Sequence, residues 1–206
     1  MIAASAGLLG VLCSVVALVI VAVVFVRWQD GRVTAGWEGL GQRLGLTYVP
    51  GDVHTRRQLS GEVDGVQVLV IVRNPQDPSH PSRRVYFTRV QCALGRDLGV
   101  GMLSTTPRAS FPYRAQGLKL GAVAVADDGR SPGLNLRARD PDAARRWLTP
   151  EAREALTRAD AAAEGLVLDD TTLFHEWPGT VQDGARLERI IRAQVAAVQA
   201  LRASWG

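Results

Sequence analysis

The chain opens with an unbroken apolar segment. Residues 6–26 read AGLLGVLCSVVALVIVAVVFV, and no Asp, Glu, Lys or Arg precedes Arg27. As an α-helix these residues would extend ~31 Å at ~1.5 Å per residue, which matches the hydrocarbon core of a bilayer. The many valines do not argue against a helix, because in lipid only a helix satisfies every backbone polar group within one segment. The pattern therefore predicts a transmembrane helix over residues 6–26.

Two processed forms are the alternatives to an uncleaved anchor. A signal peptide has a basic first region and a shorter apolar core, but residues 1–5 carry no basic side chain. A lipoprotein would be modified at Cys13, where Leu12 occupies a position that expects a small residue. The other flank favours an anchor, because Arg27 and Trp28 suit the membrane interface through snorkelling and ring anchoring.

Flanking charge predicts the orientation of this anchor. Arg27 and Arg32 follow the segment, and no basic side chain precedes it. The positive-inside rule therefore predicts a single-pass protein of the cell inner membrane with its C-terminal domain in the cytoplasm. The cysteines agree, because Cys13 lies in the segment and leaves Cys92 without a partner for a disulfide within the domain.

A glycine marks the predicted boundary between the anchor and the domain. Gly31 predicts a break in the helix, so we expect a tail at residues 1–5, a juxtamembrane linker at residues 27–33 and a soluble domain at residues 34–206. The domain begins with a short helix over residues 34–46, since its apolar residues recur at helical spacing. These residues are Trp37, Leu40 and Leu44, and Thr34 is the predicted N-cap.

Alternating apolar and polar residues predict a sheet in the first half of the domain. The strongest signal is Asp64-Gly65, a hairpin turn sequence between two such runs. Residues 74–82 contain three prolines and residues 105–116 two more, so both ranges are predicted loops. The predicted strands are residues 58–63, 66–73, 84–94, 98–104, 118–126 and 133–138.

The second half of the domain is mostly helical. A helix is predicted over residues 140–163, with Asp140 as its N-cap and a break or kink at Thr149-Pro150. A hairpin around Asp169-Asp170 follows, and Asp183 then caps a last helix that ends near Ser204. The hairpin strands are residues 166–168 and 172–177. The helix has a 3.6-residue period, mostly of apolar residues, at Leu187, Ile190, Ile191, Gln194, Val195, Val198 and Leu201. This order of elements predicts an α+β domain in which helices pack on an antiparallel sheet.

Three runs resemble a family of uncharacterised bacterial proteins whose function is unknown. They are residues 37–46 (WEGLGQRLGL), residues 59–66 (LSGEVDGV), and Asp169-Asp170 followed by the Trp177-Pro178-Gly179 turn. Proteins of this family often pair a membrane helix with this kind of domain, and the similarity covers residues 34–201. The resemblance implies an architecture but no activity, since the family brings none.

The candidate metal and acid–base residues lack a supporting pattern. His54, His80 and His175 have none of the short spacings typical of zinc ligands. The pairs Asp127-Asp128 and Asp169-Asp170 could bind a cation or transfer protons, but both lie at predicted turns, which Asp favours by bonding its own backbone. The sequence therefore assigns no catalytic residue, no cofactor-binding residue and no metal ligand, and it predicts no cofactor.

The candidate nucleophiles and nucleotide motifs are equally weak. Cys92 lies inside a predicted strand, where a buried and inert thiol is the usual state. Ser60 lacks the Gly-x-Ser-x-Gly elbow of hydrolases. Gly99-Val-Gly101 lacks the third glycine of a dinucleotide fingerprint.

Arginine dominates the basic residues, with Lys119 as the single lysine, yet the formal net charge is only +4. Doublets at Arg56-Arg57, Arg83-Arg84 and Arg145-Arg146 could contact lipid phosphates or simply be solvated, and no nucleic-acid binding is expected without clustering. Five tryptophans could line a ligand groove. Trp37 and Trp147 fall on apolar helix faces, whereas Trp28, Trp177 and Trp205 are freer to be exposed.

These observations favour a membrane-anchored, non-enzymatic interaction module that binds a partner protein or the inner-leaflet surface, with residues 6–26 in the bilayer. The alternative is a hydrolase-like enzyme of unrecognised type that uses the Asp pairs, which would have to converge with a histidine in one cavity. A third hypothesis is an oligomer assembled through the membrane segment, where Ala3-Gly7 and Ala6-Gly10 form a weak small-residue pattern.

Overall fold

The computed structural model describes residues 2–51, 57–73, 86–101, 103–104, 123–124, 136–163 and 165–205. The helices within these ranges are α1 (Ile2–Leu44), α2 (Pro141–Trp147), α3 (Pro150–Ala162) and α4 (Gly184–Ala203). The strands are β1 (Thr47–Val49), β2 (Gln58–Val63), β3 (Val66–Arg73), β4 (Phe87–Ala93), β5 (Leu103–Ser104), β6 (Val123–Ala124), β7 (Arg137–Ala138), β8 (Val167–Leu168) and β9 (Thr172–Pro178).

The strands of these ranges form one antiparallel sheet. Their order is β1-β2-β3-β4-β9-β8-β5-β7-β6, and every paired neighbour runs antiparallel. The longest strands, β2, β3, β4 and β9, lie side by side, so they form the part of the sheet on which helices can pack. The predicted α+β class is confirmed.

The β2–β3 hairpin has the bounds that the sequence predicts. Its turn residues Asp64 and Gly65 have φ angles of 49° and 79°, as a two-residue turn with two left-handed positions requires. The C-terminal part of α4 fixes this turn, because Gln199 Nε2 donates to the Asp64 carbonyl at 2.8 Å and Arg202 Nη1 donates to the Gly65 carbonyl at 2.7 Å.

Other strand predictions are only partly met. The predicted strand over residues 84–94 is observed as β4, and the second hairpin as β8 and β9. Of the strands predicted over residues 98–104, 118–126 and 133–138, the described residues contain the two-residue strands β5, β6 and β7, and much of the last two ranges lies outside the described residues. β1 was not predicted, because its three residues are too few to establish an alternating pattern.

The predicted break at Gly31 is wrong. α1 continues through residues 27–33 and ends at Leu44, so the expected linker and the expected helix over residues 34–46 belong to one helix, and Thr34 is not an N-cap. Glycine in a helix interior costs about 1 kcal/mol relative to alanine, which tertiary packing can outweigh. That packing comes from the buried side chains of Val33, Trp37, Leu40 and Leu44.

Two glycines of α1 should respond in opposite ways to substitution by alanine. A Cβ at Gly31 would have no heavy atom within 4 Å outside its own helix turn, so Gly31→Ala should stabilise the helix by about 0.5–1 kcal/mol. A Cβ at Gly36 would lie 2.9 Å from the backbone oxygen of Gln182, so Gly36→Ala should lower the free energy of unfolding. Denaturant melts of both full-length variants test this, and equal gains in stability would contradict the close approach at Gly36.

Helix α4 covers the middle of the sheet. It contacts β3, β4 and β9, while α1 and α3 contact α4 itself. Its predicted apolar stripe is confirmed, since every residue of that stripe from Leu187 to Leu201 is buried. Arg186, Arg189 and Arg192 are exposed, whereas Arg202 is half-buried and its Nε donates to the Leu94 carbonyl at 2.9 Å.

Predicted N-caps begin the other three helices. Asp140 and Asp183 accept backbone N–H groups of the first turn through their carboxylates, and Thr149 does so through its hydroxyl oxygen. Each cap satisfies donors that have no partner inside the helix. The predicted break at Thr149-Pro150 is therefore confirmed as the boundary between α2 and α3.

Candidate functional site

The most conspicuous surface in the described part of the chain lies on α1 between Val15 and Val26. Ten large apolar side chains between Val15 and Val26 are each at least half exposed, from 50% at Val16 and Val23 to 72% at Leu18. We call residues 15–26 the apolar shaft. Exposed apolar areas of this size mark sites of interaction with a membrane or another protein. In α1 from Val15 onward and in the rest of the described chain, no helix is both long and apolar enough to cross a membrane.

The apolar shaft is joined to the domain through continuous helix. From Val15 onward, Val33 is the first buried side chain of α1, about two turns beyond Val26. Trp37 then enters the core and donates its Nε1 hydrogen to the Val181 carbonyl at 2.9 Å. Asp30 accepts from Arg57 Nη2 at 2.6 Å, which fixes the helix to the start of β2. The direction of the apolar shaft is therefore set by the packing of the domain.

His175 is the one predicted candidate histidine within the described ranges, and it is fully buried in β9. Its Nδ1 lies 2.7 Å from Nε2 of the buried Gln194 on α4, and its ring stacks on Trp177 at 5.5 Å between centroids. Burial is the main cause that lowers the pKa of His175 to about 3, against a smaller opposing effect of the Ala163 backbone. This histidine is therefore a neutral core residue that joins the sheet to α4. His54 and His80 lie outside the described residues.

The pKa of His175 predicts a pH-dependent stability. Since that pKa is about 3 in the folded chain and 6.5 in its ordinary state, the unfolded chain binds more protons between these values. Stability should be complete above about pH 6.5 and fall by ~2 kcal/mol on acidification to about pH 5, at ~1.4 kcal/mol per pH unit. Denaturant melts at both pH values measure the loss. The matched control His175→Gln should lack it, and an equal loss in that variant would assign the pH dependence to other groups.

The Asp pair within the described ranges is engaged in turn structure. Asp169 Oδ1 accepts from the backbone N–H groups of Thr171 and Thr172 at 2.9 and 2.6 Å, the self-bonding that favours aspartate in turns. Asp170 Oδ1 accepts from Val100 N at 3.0 Å, and burial raises the pKa of Asp170 above its ordinary value. Asp127 and Asp128 lie outside the described residues. In the described part of the chain, no group of three His, Cys, Asp or Glu side chains could hold a metal ion.

The two candidate nucleophiles, Cys92 and Ser60, lie on opposite sides of the sheet. Cys92 is buried on the helix-facing side of β4, where burial raises the pKa of its thiol to about 12. Such a thiol is protonated at neutral pH and therefore a poor nucleophile. Ser60 instead lines a shallow, partly open cavity of about 200 Å³ on the opposite side of the sheet. Its lining residues are Ser60, Gly61, Gln67, Val68, Leu69, Gln91 and Ala93, which include no titratable side chain.

Most of the tryptophans and arginines considered as binding residues are buried or make contacts within the domain. Trp37 and Trp147 are buried, as expected. Trp177 and Trp205 are half-buried rather than free, and Arg96 stacks its guanidinium on the Trp205 ring at 4.5 Å. Of the predicted doublets, Arg83-Arg84 and Arg56 lie outside the described residues, Arg57 bonds Asp30, and Arg145-Arg146 are exposed on α2.

Comparison with known proteins gives a fold but no family. No family model matches the sequence, and no curated protein matches it. A solved structure of similar fold is the crystal structure of the mycobacterial trehalose monomycolate transport factor A, TtfA, with a TM-score of 0.50 over 85% of this chain and 96% of that chain. The two sequences are 14% identical, so the similarity concerns the fold, which does not carry function with it.

Proposed function

We propose that the chain is a membrane-anchored, non-enzymatic interaction module. Residues 6–26 cross the inner membrane once, and the α+β domain lies in the cytoplasm, where it binds a partner protein at the membrane. The observation that carries the proposal is the apolar shaft. Its side chains project from one continuous helix in a stretch without a single charge. Such an exposed apolar helix is most stable when lipid surrounds it.

The positions of the candidate catalytic groups support a non-enzymatic role. Asp169 and Asp170 accept backbone hydrogen bonds, and the cavity on the sheet has no acid, base or nucleophile other than the Ser60 hydroxyl among its lining residues. An enzyme needs a nucleophile or proton-transfer group within reach of a base or an orienting partner. The binding target that we propose is a partner protein at the membrane.

Reporter fusions test the topology. A reporter fused after Gly206 should be active in the cytoplasm and inactive in the periplasm, because Arg27 and Arg32 follow the anchor and no basic side chain precedes it. The full-length chain should also stay in the membrane fraction after alkaline extraction. Val19→Asp combined with Val23→Asp should release it, because each charge at membrane depth costs about 2.5–3.5 kcal/mol on insertion scales.

The matched control places the same two charges outside the anchor, at the exposed positions Ala35 and Gln42 of α1. Ala35→Asp with Gln42→Asp should leave the chain in the membrane fraction. A reporter active only in the periplasm would refute the orientation. Release of the parent chain by alkali would refute the anchor.

A further inference from the structure

Among the described residues, the exposed large apolar side chains of the domain lie at one end of the sheet. Apart from the apolar shaft, the large apolar residues exposed in the described chain are Trp28, Val49 and Tyr86, at 55%, 41% and 48%. Trp28 follows the shaft directly. Val49 and Tyr86 are far apart in sequence, so the strand register must show whether both lie at the end of the sheet that is near the shaft.

Strand register places Val49 and Tyr86 at the same end of the sheet. Val49 is the last residue of β1 and pairs with Gln58, the first residue of β2. Tyr86 immediately precedes β4, and its carbonyl accepts from Gly179 N, after the end of β9, at 2.7 Å. Because neighbouring strands are antiparallel, the Asp64-Gly65 turn lies at the opposite end.

Contacts of α1 show which end of the sheet faces the apolar shaft. Asp30 bonds Arg57 at the start of β2, whereas Leu46, beyond the end of α1, lies against Gly61 far along that strand. The helix therefore runs from the β2 start toward the hairpin turn. Asp30 comes about 6 Å after Val26 along the helix axis, so the β2 start lies close to the end of the shaft.

Tyr86 lies further from the Asp64-Gly65 turn than Arg57 does. The Arg57 carbonyl accepts from Val72 N, and Val72 pairs with Thr88, so these residues form one row across the sheet. Tyr86 lies two residues beyond that row, which is about 7 Å in a strand. Its backbone therefore lies beyond the Arg57 row, on the side of the sheet away from the Asp64-Gly65 turn. We call Arg27, Trp28, Arg32, Val49 and Tyr86 the proximal end.

The chemistry of the proximal end matches a lipid headgroup layer. Arg27 and Arg32 are exposed cations, and the Arg32 guanidinium lies 4.9 Å from the centre of the Trp28 ring. The neighbouring carboxylate of Asp30 is paired with Arg57, so it does not cancel both charges. Tyrosine and tryptophan favour the interface between water and hydrocarbon, and arginines near an anionic leaflet are attracted to its phosphates.

We propose that the proximal end rests on anionic phospholipid headgroups, with Val49 and Tyr86 touching the bilayer surface. This inference rests on the proposed anchor. The continuous helix keeps the domain next to the membrane, and the headgroup contacts select the orientation in which the Asp64-Gly65 turn and the C-terminal end of α4 point away from the bilayer. Those distal elements are then the part of the domain that a cytoplasmic partner can reach.

Spin labels on the full-length chain in vesicles test the orientation. Cysteines are introduced singly at Val49, Tyr86, Glu62 and Val19, in a chain in which Cys13→Ala removes the thiol of the anchor. Cys92 stays, because it is buried. The vesicles contain phosphatidylcholine alone or with phosphatidylglycerol. Collision rates of each nitroxide with a soluble nickel chelate and with oxygen measure its depth.

The expected result separates three positions. Labels at Val49 and Tyr86 should collide with nickel severalfold less often in the anionic vesicles than in phosphatidylcholine. Glu62 is exposed at the distal end of β2, so a label there should remain fully accessible in both. A label at Val19 should show the oxygen-rich, nickel-poor signature of the bilayer interior in both. Arg27→Gln with Arg32→Gln should restore nickel access at Tyr86 while leaving Val19 buried.

Each of the other outcomes would refute one part of the proposal. If the Val49 and Tyr86 labels match Glu62 while Val19 is buried, the anchor stands and the docked orientation is wrong. If the Val19 label is accessible, the anchor itself is wrong and the inference falls with it. Equal protection in both vesicle types would refute the role of anionic headgroups. Protection found only in native membranes, and not in lipid vesicles, would refute the lipid contact in favour of a protein partner.

Discussion

Trp37→Ala should lower the free energy of unfolding by about 3–5 kcal/mol, the usual cost of removing a large aromatic side chain from a core. Trp37 has no exposed surface, and its Nε1 hydrogen bond to the Val181 carbonyl joins α1 to the segment that leads into α4. The substitution leaves both a cavity and a carbonyl without this donor. Circular dichroism during denaturant unfolding of the full-length chain in detergent measures the loss without depending on tryptophan fluorescence.

The control for Trp37 lies on the same helix. Trp28 is 55% exposed, so Trp28→Ala should change stability in detergent by no more than about 0.5 kcal/mol. The comparison asks whether α1 belongs to the fold or merely precedes it. Equal midpoints for Trp37→Ala and the parent would show that residues 33–44 do not contribute to the core, and the domain would then be free to rotate about the anchor.

Because α1 is part of the core, the orientation of the domain relative to the apolar shaft is restricted. A flexible linker would leave the domain free to sample many orientations, whereas α1 carries the direction of the shaft into the packing at Trp37 and Leu40. Gly36 allows this packing, because its missing Cβ lets α1 approach the backbone at Gln182. A movement of the shaft relative to the domain would therefore be transmitted through α1 to the start of α4, the helix that covers the sheet.

Local signals in the sequence predicted local structure well. The Asp64-Gly65 turn, the Asp183 cap and the apolar period of α4 each depend on residues close together in the chain, and each is observed. The break at Gly31 was wrong because helix propensity competes with packing, and some partners of α1, such as Val181, lie more than a hundred residues away. A rule based on neighbouring residues cannot include that contribution.

The contacts that position the candidate site are non-local and left little trace in the sequence. Asp30 and Arg57 are 27 residues apart, and nothing in their neighbourhoods indicates that they meet. Gln194 interrupts the apolar stripe of α4, which is a signal that a buried polar partner is needed. The identity of that partner, His175, required the register between β4 and β9 and the placement of α4 upon them.

Ile191→Ala should lower the free energy of unfolding by about 2–5 kcal/mol, because it leaves a cavity where α4 meets the sheet. Ile191 is fully buried in the hydrophobic core. Arg189, two positions earlier, is exposed, so Arg189→Ala should cost under about 0.5 kcal/mol. The pair tests the register of α4 as well as its burial, because a shift of two positions would exchange the two effects. Denaturant midpoints of both full-length variants decide between these registers. If Ile191→Ala matched the parent, α4 would not pack on the sheet, and its apolar face would instead be available to the partner that the proposed function requires.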